Sequence, residues 1–573
     1  MIIRVVLALA LTVPPFTASA PPPVEAHACP VAVPERTVCG FLMVPERRDA
    51  PGRTVKVGYA VHTSIAKDRK PDPVVYMGGG PASASLQLTG FLSQMFPDRD
   101  VVTVEQRGNR YSKPVLGCPE TAEAMLGRLR RPPSDVARAA LRCRARLQEQ
   151  GIDLRGYNTR EIAADVVALR QALGYPSWNL FGVSYSTRVM TQVAAIDPEA
   201  VRSVVLDSYL PEDVAWYDDA DRNLFDTLDK LGVRKDFEAA VSRLNRAPAR
   251  VPTEDPLLGR PFTATVSGDD MATIMAEALH EADVSAVAPA LVGGLAEGHD
   301  EPLRPLADAV GGGLVSHEFG LYHAVQCQDE VPFNTFALGS RLFTVNADKA
   351  VCDAWQLPKS VPENADPEAP VYVVGGQNDP TTPTRTSRPA AESLRHARFE
   401  EFPGNAHAVF LSSACARRKI VEFVGQPGGV ASPRCSDGEV PYPRLGPGDT
   451  HVTGAPYQIS RSPWQAAPFA LFALVALAQL VSGALRGRAV RAFAGLTGVA
   501  FAGLTGEAVY RMASENETAL AVGVPVTVSL YTWLAAASAV LSVAVLFRER
   551  RWPHLAAAVI GAGFLVWWCL WFL

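Results

Sequence analysis

The stretch Trp178-Asn179-Leu180-Phe181-Gly182-Val183-Ser184-Tyr185-Ser186 decides the fold. Residues Trp178–Val183 read as a short apolar strand, and the chain from Tyr185 onward reads as a helix. A serine on a tight strand-to-helix turn projects its Oγ above the sheet. It also sits at a helix N-terminus, which favours developing negative charge. Read by itself, a serine ahead of a helix is equally an ordinary N-cap. The surrounding chain separates the two readings.

Around this turn, strands alternate with helices. Residues 39–44, 55–62, 73–77, 100–105, 201–206, 371–375 and 398–402 have strand character, and 161–173 carries apolar residues at helical spacing. Such alternation predicts an α/β fold with a mostly parallel central sheet. The strand pattern stops between Pro211 and about Glu363, where helical runs such as 224–231 and 270–282 take over. That stretch is too long for a loop. Residues 212–363 are therefore expected as a helical cap inserted between core segments 29–211 and 364–433. Residues 434–463, rich in Pro, Gly and polar side chains, read as a linker.

Two further turns carry chemistry. Met77-Gly78-Gly79-Gly80-Pro81-Ala82 follows a strand, and its glycines let backbone N–H groups approach a ligand. No G-K-[ST] follows, so a phosphate loop is disfavoured. The N–H groups of Gly80 and Tyr185 are candidates for an oxyanion hole beside Ser184. Asp379 falls after a strand in Gly375-Gly376-Gln377-Asn378-Asp379-Pro380, and His407 follows the next strand in Pro403-Gly404-Asn405-Ala406-His407. A lone His is usually structural, and an Asp in a Pro-rich turn usually only shapes the turn. Ser184, Asp379 and His407 together, in that order and at strand ends, have the order of α/β-hydrolase triads. Asp207, at the end of 201–206, is the competing acid. The expected hydrolase motif is G-x-S-x-G, and Ser186 stands at its last glycine.

These residues resemble the proline iminopeptidase and tripeptidyl aminopeptidase branch of the α/β-hydrolases over about residues 39–435. The similarity rests on Ile162-Ala-Ala-Asp165, Leu169-Arg170-Gln-Ala-Leu-Gly174, the run from Trp178 to Tyr185, and Val205-Leu206-Asp207. Gly79-Gly80-Pro81 resembles the family's G-G-P-G, with Ala82 for the last glycine. Glu105-Gln-Arg-Gly-Asn-Arg110-Tyr-Ser112 resembles its D-x-R-G-x-G-x-S, with Glu105 for Asp and Arg110 for Gly. Asp379-Pro380-Thr381-Thr382-Pro383 matches its D-P-x-T-P. The resemblance implies a serine exopeptidase acting on free peptide N-termini, with no metal or organic cofactor. Cys327-Gln328-Asp329-Glu330-Val331-Pro332 resembles a family cap segment, which makes Asp329 and Glu330 candidates for binding the substrate amine. The bland alternative for both is a solvated acidic turn.

The two ends of the chain read as membrane signals. Arg4, the apolar run 5–13 and small residues at Ala18, Ala20, Ala26 and Ala28 outline a signal peptide over residues 1–28. An uncleaved anchor and a lipid on Cys29 are the alternatives. Residues 466–485, 492–510, 520–547 and 555–573 can each span the hydrocarbon layer. Arg486, Arg488 and Arg491 lie in the first connection and Arg548, Arg550 and Arg551 in the third, while Glu515 and Glu517 lie in the middle one. Basic loops stay in the cytoplasm, which places the catalytic segment outside. Small residues at 494, 498, 502 and 506 suggest close helix packing in one four-helix module rather than a buried soluble core. Of nine cysteines, eight lie between Cys29 and Cys435. An even set in an exported segment favours disulfides. Near-neighbour pairs such as Cys118–Cys143, Cys327–Cys352 and Cys415–Cys435 are compatible with this, though eight cysteines allow about 105 pairings.

A formal net charge of −5 over 573 residues excludes a general nucleic-acid binder, which would carry a basic excess. Three functions remain on sequence grounds: a membrane-tethered extracytoplasmic serine aminopeptidase, a carboxylesterase or lipase on the same fold, and a non-catalytic ectodomain of a membrane assembly. Oligomeric state is not legible.

Overall fold

The computed structural model describes residues 22–130, 135–256, 258–360, 365–429, 433, 435 and 439–573. Its strands are β1 (Val24–His27), β2 (Thr37–Pro45), β3 (Thr54–His62), β4 (Lys70–Met77), β5 (Arg99–Val104), β6 (Trp178–Val183) and β7 (Val201–Asp207). A hairpin of β8 (Ala249–Asp255) and β9 (Arg260–Val266) follows, then β10 (Val371–Gly376) and β11 (Ala397–Phe402). Among the described residues, nine of these form one sheet in the order β1-β2-β3-β5-β4-β6-β7-β10-β11. The pairs β1–β2, β2–β3 and β3–β5 are antiparallel. From β5 to β11 every neighbour is parallel. This is the expected α/β-hydrolase architecture.

Strands β6 and β10 are buried along their whole length, which explains their continuous apolar runs. On one face, Leu180, Val204 and Val373 pack with Ile162 and Val166 of helix Thr159–Leu173 and Met190 of helix Tyr185–Ile196. On the other, Tyr76, Phe181 and Val205 pack with Phe410, Ile420 and Phe423. Helix Thr159–Leu173 starts where the Asn158 side chain accepts the Glu161 N–H, and ends at Gly174 with φ 74°. The sheet thus holds three loop ends in register above its carboxyl edge: those after β4, β6 and β10.

Four features differ from the sequence expectations. First, the folded domain begins before residue 29. Strand β1 pairs Val24–His27 with β2, and Cys29 is in a disulfide with Cys39. A cut after Ala28 would remove β1, and the lipidated alternative finds its thiol occupied. The apolar run 5–13 lies outside the described residues. Second, the cap is not wholly helical. The hairpin β8–β9 escaped notice because Pro252 and Glu254 interrupt the apolar content of β8, although its burial alternates strictly. Third, the described part of the region read as a linker, from residue 439 onward, packs on the rest of the molecule. Leu445 exchanges backbone hydrogen bonds with Ala286 and Ala290 of the cap, and β12 (Thr450–Val452) pairs with β13 (Gly523–Pro525) beside the membrane helices. Fourth, the third apolar helix starts at Thr527 rather than 520, because residues 523–525 form β13 and Pro525 supplies no N–H to an earlier start.

Four described helices are long and apolar enough to cross a membrane: Pro463–Leu485, Ala489–Glu515, Thr527–Glu549 and Trp552–Phe572. They pack on one another closely. A Cβ on Gly495 would lie 2.1 Å from Leu480 N, and one on Gly498 would lie 2.6 Å from Ala476 Cβ. The small-residue stripe is used only in its first half, since nothing lies within 4 Å of a Cβ at Gly506. Inside the bundle Gln479 Nε2 donates to Ser542 Oγ at 3.0 Å, and Ser538 Oγ donates to Ala494 O at 2.7 Å. The eight cysteines outside the helices form the pairs 29–39, 118–143, 327–352 and 415–435.

Candidate active site

Ser184 occupies the turn between β6 and helix Tyr185–Ile196 with φ 56° and ψ −127°. A left-handed backbone at a non-glycine costs about 1–3 kcal/mol, and local hydrogen bonds outweigh it. Ser184 N donates to Asp207 O at 2.9 Å, and Thr187 N donates to Ser184 O at 2.9 Å. Ser186 Oγ accepts from Val183 N and donates to Met77 O, both at 2.7 Å. Each such bond contributes about 0.5–1.5 kcal/mol net. The serine at the last position of the motif thus fastens the turn through a hydroxyl a glycine lacks. The turn also requires Gly79, where a Cβ would lie 2.7 Å from both Ser184 Cβ and Val183 O.

The glycine loop is held from behind by the run beginning at Glu105. Gln106 Nε2 donates to Gly78 O at 3.0 Å and Gly79 O at 2.8 Å, while its Oε1 accepts from Ala82 N at 2.9 Å. Glu105 accepts from the N–H groups of Ser85 and Leu86, and burial pushes its carboxyl up to about 7. Arg107 makes a bidentate pair with Asp165 at 2.7 and 2.6 Å. These buried groups are satisfied as a network, so removing one would leave the others uncompensated. Gly80 and Tyr185 line the same cavity as Ser184. Among the described residues, neither N–H has an acceptor.

His407 and Asp379 meet as the sequence suggests. His407 Nδ1 lies 2.8 Å from Asp379 Oδ2. Asp379 is fully buried and also accepts from Thr381 N at 2.8 Å, Thr382 N at 2.9 Å and Thr382 Oγ1 at 2.7 Å. Burial alone would raise its pKa, but the His407 ring and the Thr382 donors hold it well below the ordinary carboxylate range. His407 responds in the opposite sense. Burial disfavours its charged form, yet Asp379, with Asp207 and Glu281 nearby, raises its pKa above the usual imidazole value. Ser184 and His407 line one cavity of about 430 Å³, though Ser184 Oγ makes no hydrogen bond to the ring among the described residues. Such contacts commonly tighten only when substrate arrives.

Asp207 has a different place from the one sequence left open. Its two oxygens accept from Val409 N at 2.9 Å and Phe410 N at 2.7 Å, and burial pushes its carboxyl up to about 6. With Ser208 Oγ, which accepts from Ala408 N, it pins the backbone directly after His407.

The cap supplies the remaining wall. Asp329 lines the cavity and accepts from Thr159 N and Thr159 Oγ1, each at 2.7 Å, and burial pushes its carboxyl up to about 6. Glu330 also lines the cavity, but it is paired with the buried Arg188 guanidinium. Two cavity residues were missed by sequence reasoning, Glu277 and His280. Glu277, on a cap helix, has its side chain about half exposed to the cavity, and desolvation by the surrounding walls, with the Asp348 charge, pushes it up to about 7. The His280 ring lies 5.3 Å from that of His407, and burial, with His407 nearby, lowers its pKa to about 4.

Residues 72–256 match the model for the alpha/beta hydrolase fold, and residues 341–430 match that for TAP-like proteins. The serine protease Hip1 of Mycobacterium tuberculosis is 29% identical over 196 residues, covering 31% of this chain and 36% of that protein. The tripeptidyl aminopeptidase of Streptomyces lividans is 24% identical over 204 residues, covering 32% of this chain and 38% of that protein. The matched region thus spans little more than a third of the length of these curated relatives. A crystal structure of proline iminopeptidase from Mycobacterium smegmatis overlaps 67% of this chain and 98% of that one at 15% identity, with a TM-score of 0.39.

Ala82 stands at φ 75°, a backbone region that costs an L residue about 1–2 kcal/mol. Ala82→Gly relieves this but loses the burial of a core methyl, worth about 0.8 kcal/mol, and adds chain entropy to the unfolded state. Chemical denaturation in detergent is expected to place the variant within about 1 kcal/mol of wild type, and a loss of more than about 2 kcal/mol would contradict the strain.

Proposed function

We propose that this α/β-hydrolase is a membrane-tethered serine aminopeptidase, with Ser184 as nucleophile, His407 as general base and Asp379 as its orienting acid. The observation that carries the reading is the Asp379–His407 pair facing the strained Ser184 turn in a cavity walled by cap carboxylates. His407 Nε2 takes the Ser184 Oγ proton as the oxygen attacks the scissile carbonyl. Asp379 holds the ring tautomer and stabilises the imidazolium. The N–H groups of Gly80 and Tyr185 bind the oxyanion. The proton passes from His407 to the leaving amine, and water activated by the same ring then releases the acyl group from Ser184.

A free N-terminus entering the cavity brings an ammonium that must be matched by opposite charge. Glu277 and Asp329 are the carboxylates suited to this, since Glu330 is committed to Arg188. The peptidase names among the relatives support the same substrate class. Four disulfides in the catalytic segment and the arginine-rich connections after the first and third helices support an extracytoplasmic position for the site. Cleavage of a leader near Ala20 rather than after Ala28 fits this placement and preserves β1.

The test uses the full chain in detergent, beside Ser184→Ala. The substrates are a tripeptidyl-nitroanilide with a free amine, its acetylated twin and a short-chain nitrophenyl ester. Turnover of the free-amine peptide alone, abolished in Ser184→Ala, is expected. Equal turnover of the acetylated peptide would replace the aminopeptidase reading by a peptidase that needs no free amine, and turnover of the ester alone would replace it by an esterase.

The pH profile follows from the raised His407 pKa. The base must be neutral, so kcat/KM falls as pH drops through that pKa, and the acid limb lies above about 6.5. Asp379→Asn removes the largest raising influence. It is expected to move this limb to lower pH, with kcat reduced by about 10⁴. An unmoved limb would assign the titration to another group.

A further inference from the structure

The cap turn that touches His407 is also the point at which the membrane helices grip the cap. His407 N donates to His280 O at 3.1 Å, and the two rings lie 5.3 Å apart at 34°. His280 Nε2 is hydrogen-bonded to Thr381 Oγ1, and Thr381 N donates to Asp379 Oδ1 at 2.8 Å. His280 therefore contacts both the base and the loop that carries the acid. Three residues later, Asp283 lies in the first turn of helix Ala282–Glu297. Its carbonyl accepts from Asn516 Nδ2 at 2.8 Å, and its carboxylate accepts from Thr518 Oγ1. Asn516 directly follows the second apolar helix, Ala489–Glu515, and its Oδ1 accepts from Thr518 N at 3.0 Å. Met512 near the end of that helix, with Ala519 and Val522 of the connection, is buried in the same cluster as Val287 and Leu291 of the cap helix. Three residues span at most about 11 Å, so a short and packed route joins the membrane helices to the base.

We propose that the connection between the second and third membrane helices is a positioning element for the reaction, with Asn516 and Thr518 bracing His407 through the cap turn of His280 and Asp283. This rests on the serine-hydrolase reading for its effect on rate, but not for the brace itself. Asn516 and Thr518 touch no reacting atom. They fix Asp283, which sets where His280 sits, and His280 limits how far the imidazole of His407 can turn from Ser184. A misplacement of about 1 Å in such a site costs about 10² in rate. The connection thus positions the site as well as joining two helices of the anchor.

The experiment uses the full chain in lipid nanodiscs. Asn516→Ala/Thr518→Val is compared with wild type, with Thr518→Ser as conservative rescue, and with Tyr457→Phe. The last removes a different hydrogen bond between the pre-membrane segment and the cap, that of Tyr457 Oη to Asp308 at 2.7 Å. Two quantities are read: amide exchange over residues 277–283 and 405–410, and kcat and KM for the substrate that wild type turns over. The double variant is expected to lose protection in both segments. Its kcat should fall at least about tenfold with KM within about twofold. Thr518→Ser and Tyr457→Phe should stay near wild type. Unchanged exchange at 405–410, or an equal fall in Tyr457→Phe, overturns the proposal. If wild type shows no Ser184-dependent turnover, the hydrolase reading fails separately. Exchange then decides the brace alone, with lost protection supporting it and unchanged protection removing it. If the double variant does not fold, Thr518→Val is read in the same way.

Discussion

The close contact between Gly79 and Ser184 is the constraint on which the rest of the site depends. Ser184 stands at φ 56°, and a Cβ at position 79 would lie 2.7 Å from its own. The Ser184 turn and the glycine loop can share this space only if both backbones are held from outside. Hydrogen bonds from Ser186, Asp207 and Thr187 hold the turn, and Gln106 holds the loop at three points. Gln106 is itself fixed between Glu105 and the buried Arg107–Asp165 pair. Strain at Ser184 is thus balanced by a network that lies wholly behind it, leaving its cavity side open.

The second half of the site is built the same way. His407 lies in a loop that Asp207 and Ser208 pin on its far side and that Phe410 anchors by packing on Phe181 and Tyr76, with ring centroids 5.0 and 5.9 Å apart. Asp207 therefore serves the imidazole by fixing backbone, while Asp379 serves it by direct contact. Two carboxylates at neighbouring strand ends divide the work, and their opposite pKa directions record the division. Asp379 is held low by a facing imidazole, and Asp207 is held high by burial, which outweighs the backbone donors on its oxygens.

How much of this was legible depends on the distance over which each feature is encoded. The strand-to-helix turn at Ser184 reads clearly because strand, Gly-x-Ser and helix are adjacent. Asp379 and His407 read because each follows a recognisable strand. Sequence favoured Asp379 over Asp207, but what Asp207 does instead did not read, since only the fold shows its oxygens turned to the N–H groups of Val409 and Phe410. Glu277 and His280 were hidden because they sit at the end of a cap helix with an ordinary amphipathic pattern, and only the fold brings them to residue 407. Strand β8 was masked by Pro252 and Glu254. The grip of Asn516 and Thr518 on Asp283 joins residues more than two hundred positions apart through short polar side chains, which in sequence mark only a loop between apolar helices.

The claim at the centre is that Ser184 is an activated nucleophile. Full-length protein in native membranes is treated with a serine-directed phosphonate, digested, and the adduct located by mass spectrometry. A single adduct on Ser184, lost in His407→Ala, is the predicted result. No adduct on Ser184, or one that forms equally without His407, would contradict the account.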